Sequence, residues 1–373
     1  MKLTHHMLKD WIDVPSDLFE ITNQKIIEVE SYQKYVDATH LTVGHVLTCE
    51  KHENAEKLSV TTVDVGDEVL TIVCGADNVR KDQKVIVAKV GAVLPGNFEI
   101  KNAKIRGVES AGMICSLNEL GFEEKYIPDL YKDGIFYYQQ DVEVGSDPLE
   151  ALGLEGSIIE LGLTPNRSDL LSTFGFAHDL ASMQGLKVKK QDLSYPVLKE
   201  ENPIKVSIDT DGCDLYYAAY AKDLTVKPSP FWLRSALIAN GIKPLNNVVD
   251  ISNYVLLEYG TPLHMFDAQK VKTNEILVRD AYDQEEVLTL DEETYTLNKE
   301  DVVITDGKHI IALGGVMGGF DSMITNQTKE VIIEAAYFDP KRIFKTSRRL
   351  NIRSDSSLRF ERGVDHVRVM LGL

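Results

Sequence analysis

Between residues 41 and 121 the chain carries a series of short β-branched runs broken by Gly, Asp and Asn, and no long stretch with helical apolar spacing. "LSVTTVDVG" (58–66), "EVLTIVCG" (68–75), "KVIVAKVGAVL" (84–94) and "FEIKNAKIRG" (98–107) are each of strand length. Val, Ile and Thr pack well on a pleated surface, and Gly, Asp and Asn supply the turns between them. Strands at this spacing close into a small barrel or stack as a sandwich. The flanks have another period. "HMLKDWIDV" (6–14) and "DLLSTFGFAHDLASMQGL" (169–186) place apolar residues at helical spacing. The pattern predicts a β module, 40–151, inserted into a helix-containing domain split over 1–39 and 152–190.

"KVKKQDLSYPVLKEENPIK" (187–205) is polar, has two prolines and no periodicity, and reads as a linker. Beyond it the types mix. "PFWLRSALIANGI" (230–242) predicts a helix stopped by Gly241, whereas "EILVRDA", "DVVITDG", "HIIALGG" and "EVIIEAAYF" predict strands. The fold class is therefore α+β and multidomain: a small β-barrel within a split α/β domain, then a mixed α/β domain over 200–373. With 373 residues, two or three domains are expected. The chain stops at "VDHVRVMLGL" (364–373), within a helix after Gly363 whose apolar side would be left uncovered, so a piece of a longer protein is expected.

No apolar run approaches the ~20 residues a bilayer requires, and the amino terminus has no segment of signal-peptide type. Cys49, Cys74, Cys115 and Cys213 lie far apart without a CxxC pair, which fits reduced thiols in a cytoplasm. A net charge of −18 argues against a nucleic-acid partner until its distribution is considered. Residues 341–368 hold nine Lys and Arg against three acids. That strip is either a phosphate contact or a solvated helix face.

Several motifs carry little alone. His45, Cys49 and His52 have metal-like spacing but no fourth ligand nearby, so no metal site is expected. "GGVMGG" (314–319) lacks the spacing of a nucleotide loop and reads as a turn, or as backbone that approaches a ligand closely. "TPNRSDLLS" (164–172) reads as a helix start capped by Ser168 or Asp169. No GxSxG elbow, Walker loop, HExxH or dinucleotide fingerprint occurs, so triad hydrolysis, P-loop chemistry and hydride transfer lose support.

Two titratable residues stand out. In "YVLLEYGTPLHMFD" (254–267) His264 is walled in by Leu263, Met265 and Phe266, and in "EVIIEAAYF" Glu334 interrupts an apolar strand. Buried groups of this kind are either paired structurally or held ready for a ligand. With Ser252 and Asn253, the polar "IRSDSSLRF" (352–360) and flexible glycines in the same domain, a ligand pocket is expected.

Together, "HENAEKL" (52–58), "VCGADN" (73–78), "GMICS" (112–116), "TPNRSDLLS", "VVDISNYVLLEYGTPLHMFD", "GGVMGG" and "SLRFERGVD" (357–365), in this order, resemble the β subunit of bacterial phenylalanyl-tRNA synthetase. The resemblance covers the whole chain and corresponds to roughly the amino-terminal half of that subunit. It implies that the inserted module is an OB-fold tRNA-binding domain and that 200–373 is an editing domain hydrolysing misacylated Tyr-tRNA(Phe). Carried over by position, the editing pocket comprises Lys243, Ser252, Asn253, His264, Gly318, Glu334, Ser354 and Ser356. Lys243 and Ser354 stand where other members have Arg and Thr, and a lysine does not reproduce a forked guanidinium contact.

In the implied roles, neutral His264 holds or activates the attacking water, or steadies the terminal ribose. Ser252 and Asn253 bind the α-amino and carbonyl groups, and Gly318 lets the backbone approach the aminoacyl moiety. Glu334, as an ionised carboxylate, accepts the phenolic O–H. From the charge of the basic strip, Lys345, Arg348, Arg349 and Arg353 are expected to help guide the tRNA 3′ arm toward the pocket. The implied partners are tRNA(Phe) and an α subunit in an α2β2 heterotetramer. ATP and Mg²⁺ serve the full enzyme and no cofactor is expected in this part. The competing reading is a tRNA-binding scaffold without a living active site, its barrel a docking module. Between 41 and 121 the only aromatic residue is Phe98, so little base stacking is expected there.

Overall fold

The computed structural model describes residues 1–195 and 199–373. Residues 196–198, within the expected linker, lie outside the described residues.

The strand Ser157–Leu161 lies antiparallel between Lys2–Thr4 and Val29–Lys34, so segments from both sides of the β-rich stretch share one sheet. Its core contains Leu3, Leu8, Trp11, Ile159, Leu170 and Phe176. Trp11 meets Phe174 and Tyr259 edge-on, at ring separations of 5.0 and 5.7 Å. The helix Thr173–Met183 begins later than its sequence suggests. Ser172, not Ser168 or Asp169, is its cap and accepts from the Gly175 N–H. Asp169 is instead taken by Arg167 within the short turn Ser168–Leu170. A bidentate guanidinium contact outcompetes a single capping bond.

The β-rich stretch forms an antiparallel sheet in the order Gly112–Ile114, Lys84–Lys89, Leu41–His52, Ala55–Asp64, Val69–Cys74. Its outer strands approach each other, with Ala111 N–H donating to Thr71 O and Val73 N–H to Ser110 Oγ, so the sheet curls almost into a barrel. Alternation fills both faces. Val46, Val63, Ile72, Val85 and Val87 pack inside the curl, while Val43, Ile86 and Ala88 pack outward against Phe136, Tyr138 and Ile238. Curvature needs a small residue on the longest strand: a Cβ on Gly44 would lie 2.7 Å from both Val63 and Val87.

The remaining sequence builds two facing sheets. In one, Val331–Phe338 runs antiparallel between Cys213–Ala221 and Leu263–Asp267. In the other the order is Lys205–Asp209, Glu275–Asp280, Val302–Thr305, Ile310–Leu313, Met317–Gly318, with only the first pair parallel. Phe266, Ile332, Ala336, Phe338, Val278 and Ile304 fill the space between them. The helix Phe231–Ala239 forms where expected and Gly241 follows it at φ +78°. The helix Asn247–Tyr259 is capped by Asn246 and stopped by Gly260 in the left-handed region. Among the described residues no helix is long and apolar enough to cross a membrane, and all four cysteines are free.

Candidate functional site

In a strand, successive side chains point to opposite faces. On Val331–Phe338 this sends Ile332, Glu334, Ala336 and Phe338 into the core, so strand periodicity places a carboxyl among apolar neighbours. The same rule acts on "LHMFD": His264 pairs in register with Glu334, and Phe266 with Ile332. The His264 and Phe266 rings meet edge-on, 4.5 Å between centroids. A cavity of ≈ 50 Å³ opens beside this pair, bounded also by Gly318, Met317, Ser356 and Phe360.

Burial governs the charge of both groups. Glu334 is 6% exposed and forms no ion pair among the described residues. Loss of solvation pushes its pKa up to about 8, against which a hydrogen bond from Tyr216, 3.0 Å from Oε2, acts in the opposite sense. At neutral pH this shift favours the protonated carboxyl over the ionised acceptor of the implied role. Burial lowers the His264 pKa to about 4, which keeps the ring neutral. Its Nε2 is shielded from solvent and has no hydrogen-bond partner among the described residues. Such an atom is a buried acceptor or donor awaiting a partner.

The glycine hairpin explains how the imidazole fits. A Cβ on Gly318 would lie 2.2 Å from His264 Cε1 and 2.6 Å from Nε2. Only glycine lets the hairpin backbone lie against the ring edge. Gly315, at φ +68°, turns the chain between Ile310–Leu313 and Met317–Gly318, the turn expected for "GGVMGG". Ser354 sits just behind. It caps the helix Asp355–Arg362 by accepting from Ser357 N–H, and its hydroxyl donates to Val316 O at 2.7 Å, tying helix to hairpin.

Comparison with known proteins gives this geometry a family. A B3/4 domain model matches residues 212–373, which include the whole cavity lining, and a tRNA binding domain model matches residues 41–147. The phenylalanine-tRNA ligase β subunit of Oceanobacillus iheyensis is 45% identical over 380 residues, covering 99% of this chain and 47% of that protein. That of Bacillus subtilis is 45% identical, covering 100% and 47%. The chain belongs to the phenylalanine-tRNA ligase β-subunit family. It spans about half the length of the curated relatives it matches. A solved amino-terminal fragment of the phenylalanyl-tRNA synthetase β subunit from Pyrococcus horikoshii is 16% identical, covers 48% of this chain and 55% of its own, and has a TM-score of 0.30.

Set against the pocket that β-subunit resemblance implies, the structure gathers His264, Glu334, Gly318 and Ser356 around one cavity, with Ser354 anchoring its wall. The other three residues do not line it. Ser252 and Asn253 are on the helix Asn247–Tyr259, where the Ser252 hydroxyl donates to Val249 O. Lys243 lies in a separate cleft of ≈ 430 Å³ with Lys125, Tyr126, Lys132 and Arg234.

The basic strip forms the helices Pro340–Leu350 and Asp355–Arg362. Its cations differ in their freedom. Arg349 bonds to the buried Asp301, Lys345 lies 3.3 Å from Glu300, and the Arg348 guanidinium stacks over Phe344. The Cys49 thiol contacts Val79 O, and His52 binds Asn54 N–H and Ile105 O. His45 lies 3.9 Å from Asp82.

Tyr216 is the site residue that the sequence concealed. In "CDLYYAAYA" nothing distinguishes it from the other strand aromatics. Only the pairing of two strands 118 residues apart puts its hydroxyl on Glu334.

Proposed function

We propose that this chain is the tRNA-binding and editing portion of a phenylalanine-tRNA ligase β subunit, and that the His264–Glu334 cavity hydrolyses the ester of Tyr-tRNA(Phe). The observation that carries the reading is the cross-strand pairing of a neutral imidazole with a buried carboxyl beside a cavity. An aminoacyl ester is already activated, so orienting a water is sufficient and neither a strong base nor a metal is required. A cavity of ≈ 50 Å³ has room for water, and His264 Nε2 offers that water a hydrogen bond. An imidazole whose pKa is lowered to about 4 is a weak base, so its part is to position the water.

Glu334 reads the tyrosine hydroxyl. An apolar pocket built for phenylalanine rejects an added hydroxyl by only ~10²-fold, whereas a site that demands the hydroxyl can discriminate by ~10⁴-fold. A tyrosyl ring does not fit ≈ 50 Å³, so admitting it requires the cavity wall to move.

In this reading 40–151 is an OB-fold tRNA-binding domain inserted in a domain made of 1–39 and 152–190, and 200–373 is the editing domain. The sharing of one sheet by Lys2–Thr4, Val29–Lys34 and Ser157–Leu161 supports the insertion. tRNA(Phe) and an α subunit, in an α2β2 assembly in the cytoplasm, are the partners. ATP and Mg²⁺ belong to amino acid activation elsewhere in the full enzyme. The deciding experiment is hydrolysis of Tyr-tRNA(Phe) by the assembled synthetase carrying His264→Ala, with a loss of about 10²-fold expected. The narrowness of the cavity favours a second reading, a scaffold that binds tRNA without hydrolysing it; absence of hydrolysis by the unsubstituted enzyme would support it, and undiminished hydrolysis in the variant would place the activity outside this cavity.

A further inference from the structure

We propose that Tyr216 sets the direction of the hydrogen bond by which Glu334 reads a phenolic substrate: Tyr216 donates to Oε2, so the carboxyl presents its own O–H from Oε1 and the substrate oxygen accepts it. This inference rests on the editing reading above and reverses the polarity that a bare carboxylate would impose.

The geometry supplies the reasons. The Tyr216 ring is buried at 7% exposure, and its O–H needs an acceptor because an unpaired buried hydroxyl is costly. Among the described residues its hydroxyl finds one partner, Glu334 Oε2 at 3.0 Å. Tyr216 is therefore the donor and Oε2 the acceptor. No cation approaches this carboxyl among the described residues. The titratable groups facing it are Tyr216 and Cys213 on one neighbouring strand and His264 on the other, all uncharged at neutral pH. From the hairpin and the helix Asp355–Arg362 come Gly318, Ser356 and Phe360, while Arg359 of that helix bonds back to Asp355.

A carboxylate given one neutral donor and no cation in an apolar wall is poorly compensated, whereas a carboxylic acid has one acceptor oxygen and one donor oxygen, each with a task. The Tyr216 bond fixes which oxygen is which. Oε1 has no partner among the described residues, and the carboxyl borders the cavity. A phenolic oxygen entering the cavity can accept from Oε1 while its own O–H donates a hydrogen bond to water. A phenylalanyl ring offers no acceptor and leaves the acid's O–H unpaired. Tyr216 is thus a positioning residue that acts through Glu334. A neutral carboxyl acting as a donor in an apolar site has precedent in enzyme chemistry.

The test is the ratio of Tyr-tRNA(Phe) to Phe-tRNA(Phe) hydrolysis by the assembled synthetase from pH 6.5 to 9.5, corrected for spontaneous hydrolysis. The ratio is expected to hold at neutral pH and to change several-fold as Glu334 ionises above about pH 8, where the carboxylate can no longer donate and can only accept. Glu334→Gln, whose amide donates from one atom and accepts at the other, is expected to retain discrimination and lose the alkaline change. Tyr216→Phe removes the donor that favours ionisation, so the change moves to higher pH while the neutral-pH ratio drops several-fold. A wild-type ratio that stays flat across this range overturns the proposal. So does a Tyr216→Phe enzyme with both ratio and midpoint unchanged, and Glu334→Gln supplies the decision if that variant fails to fold. Absence of any Tyr-tRNA(Phe) hydrolysis would instead overturn the editing reading on which this rests.

Discussion

His264 and Glu334 occupy opposed positions on adjacent antiparallel strands, and burial displaces their pKa values in opposite directions, to about 4 and about 8. Across the neutral range the imidazole and the carboxyl are therefore both uncharged, and a proton-sharing ion pair between them does not form. The pair is suited to hydrogen bonding rather than to charge.

That neutrality makes stability depend on pH. The folded pKa of Glu334 lies above its unfolded value, so its contribution is fully present below about pH 4.5 and is lost as pH rises toward about 8. His264 has the opposite linkage: its contribution is present above about pH 6.5 and lost as pH falls toward about 4. Glu334→Gln should leave stability near pH 4.5 little changed and raise it relative to wild type at pH 8, the gap growing by at most about 1.4 kcal/mol per pH unit. Urea unfolding at three pH values measures this; a gap that does not widen would show that Glu334 is ionised in the folded protein.

Gly318→Ala should damage the site without touching its titratable atoms. The added methyl would lie 2.2 Å from the His264 ring, so the ring or the hairpin must shift. Overpacking of this kind costs about 1–3 kcal/mol, and displacing the imidazole should reduce Tyr-tRNA(Phe) hydrolysis by tenfold or more while aminoacylation is retained. Thermal melting and deacylation, measured on one preparation, separate the two effects.

Within the basic strip the arginines should behave differently. Arg349→Ala leaves the Asp301 carboxylate, 1% exposed, with only Thr346 and a backbone N–H, so a loss of about 1–3 kcal/mol in stability is expected. Replacing Arg348 and Arg353 together should leave stability nearly unchanged. If both touch phosphates of single-stranded RNA, the log–log salt slope of editing becomes shallower by ~0.7 for each phosphate no longer neutralised. Steady-state deacylation at four salt concentrations is the measurement, and an unchanged slope would assign these two residues to a solvated face.

Deletion of 40–151 should weaken tRNA binding by less than tenfold, or about 1.4 kcal/mol. Residues 41–121 offer a single aromatic residue, Phe98, 58% exposed, and no excess of positive charge. A hundredfold loss in a filter-binding titration would reveal a binding surface that does not depend on base stacking.

Local pattern made the β-branched runs of 41–121 legible, as it did the helix Phe231–Ala239 and the strand around Glu334. It failed where a partner far along the chain decides. Leu41–His52, the long strand that holds its sheet together, reads as polar loop in its second half because Thr48, Glu50 and Lys51 face solvent. The helix cap moved from Ser168 to Ser172 because Arg167 had already claimed Asp169. At the site, residue types and periodicity singled out His264 and Glu334, but not their charge states. Those depend on two sheets closing over them, and Tyr216 enters only with that closure.

The strand Ser157–Leu161 has a consequence for the order in which the chain folds. During synthesis Lys2–Thr4 and Val29–Lys34 emerge early, yet the strand that joins them leaves the ribosome more than a hundred residues later, a delay of roughly ten seconds. In that interval the curled sheet at 41–121, whose pairings are mostly short-range in sequence, can form first and bring the two waiting segments close.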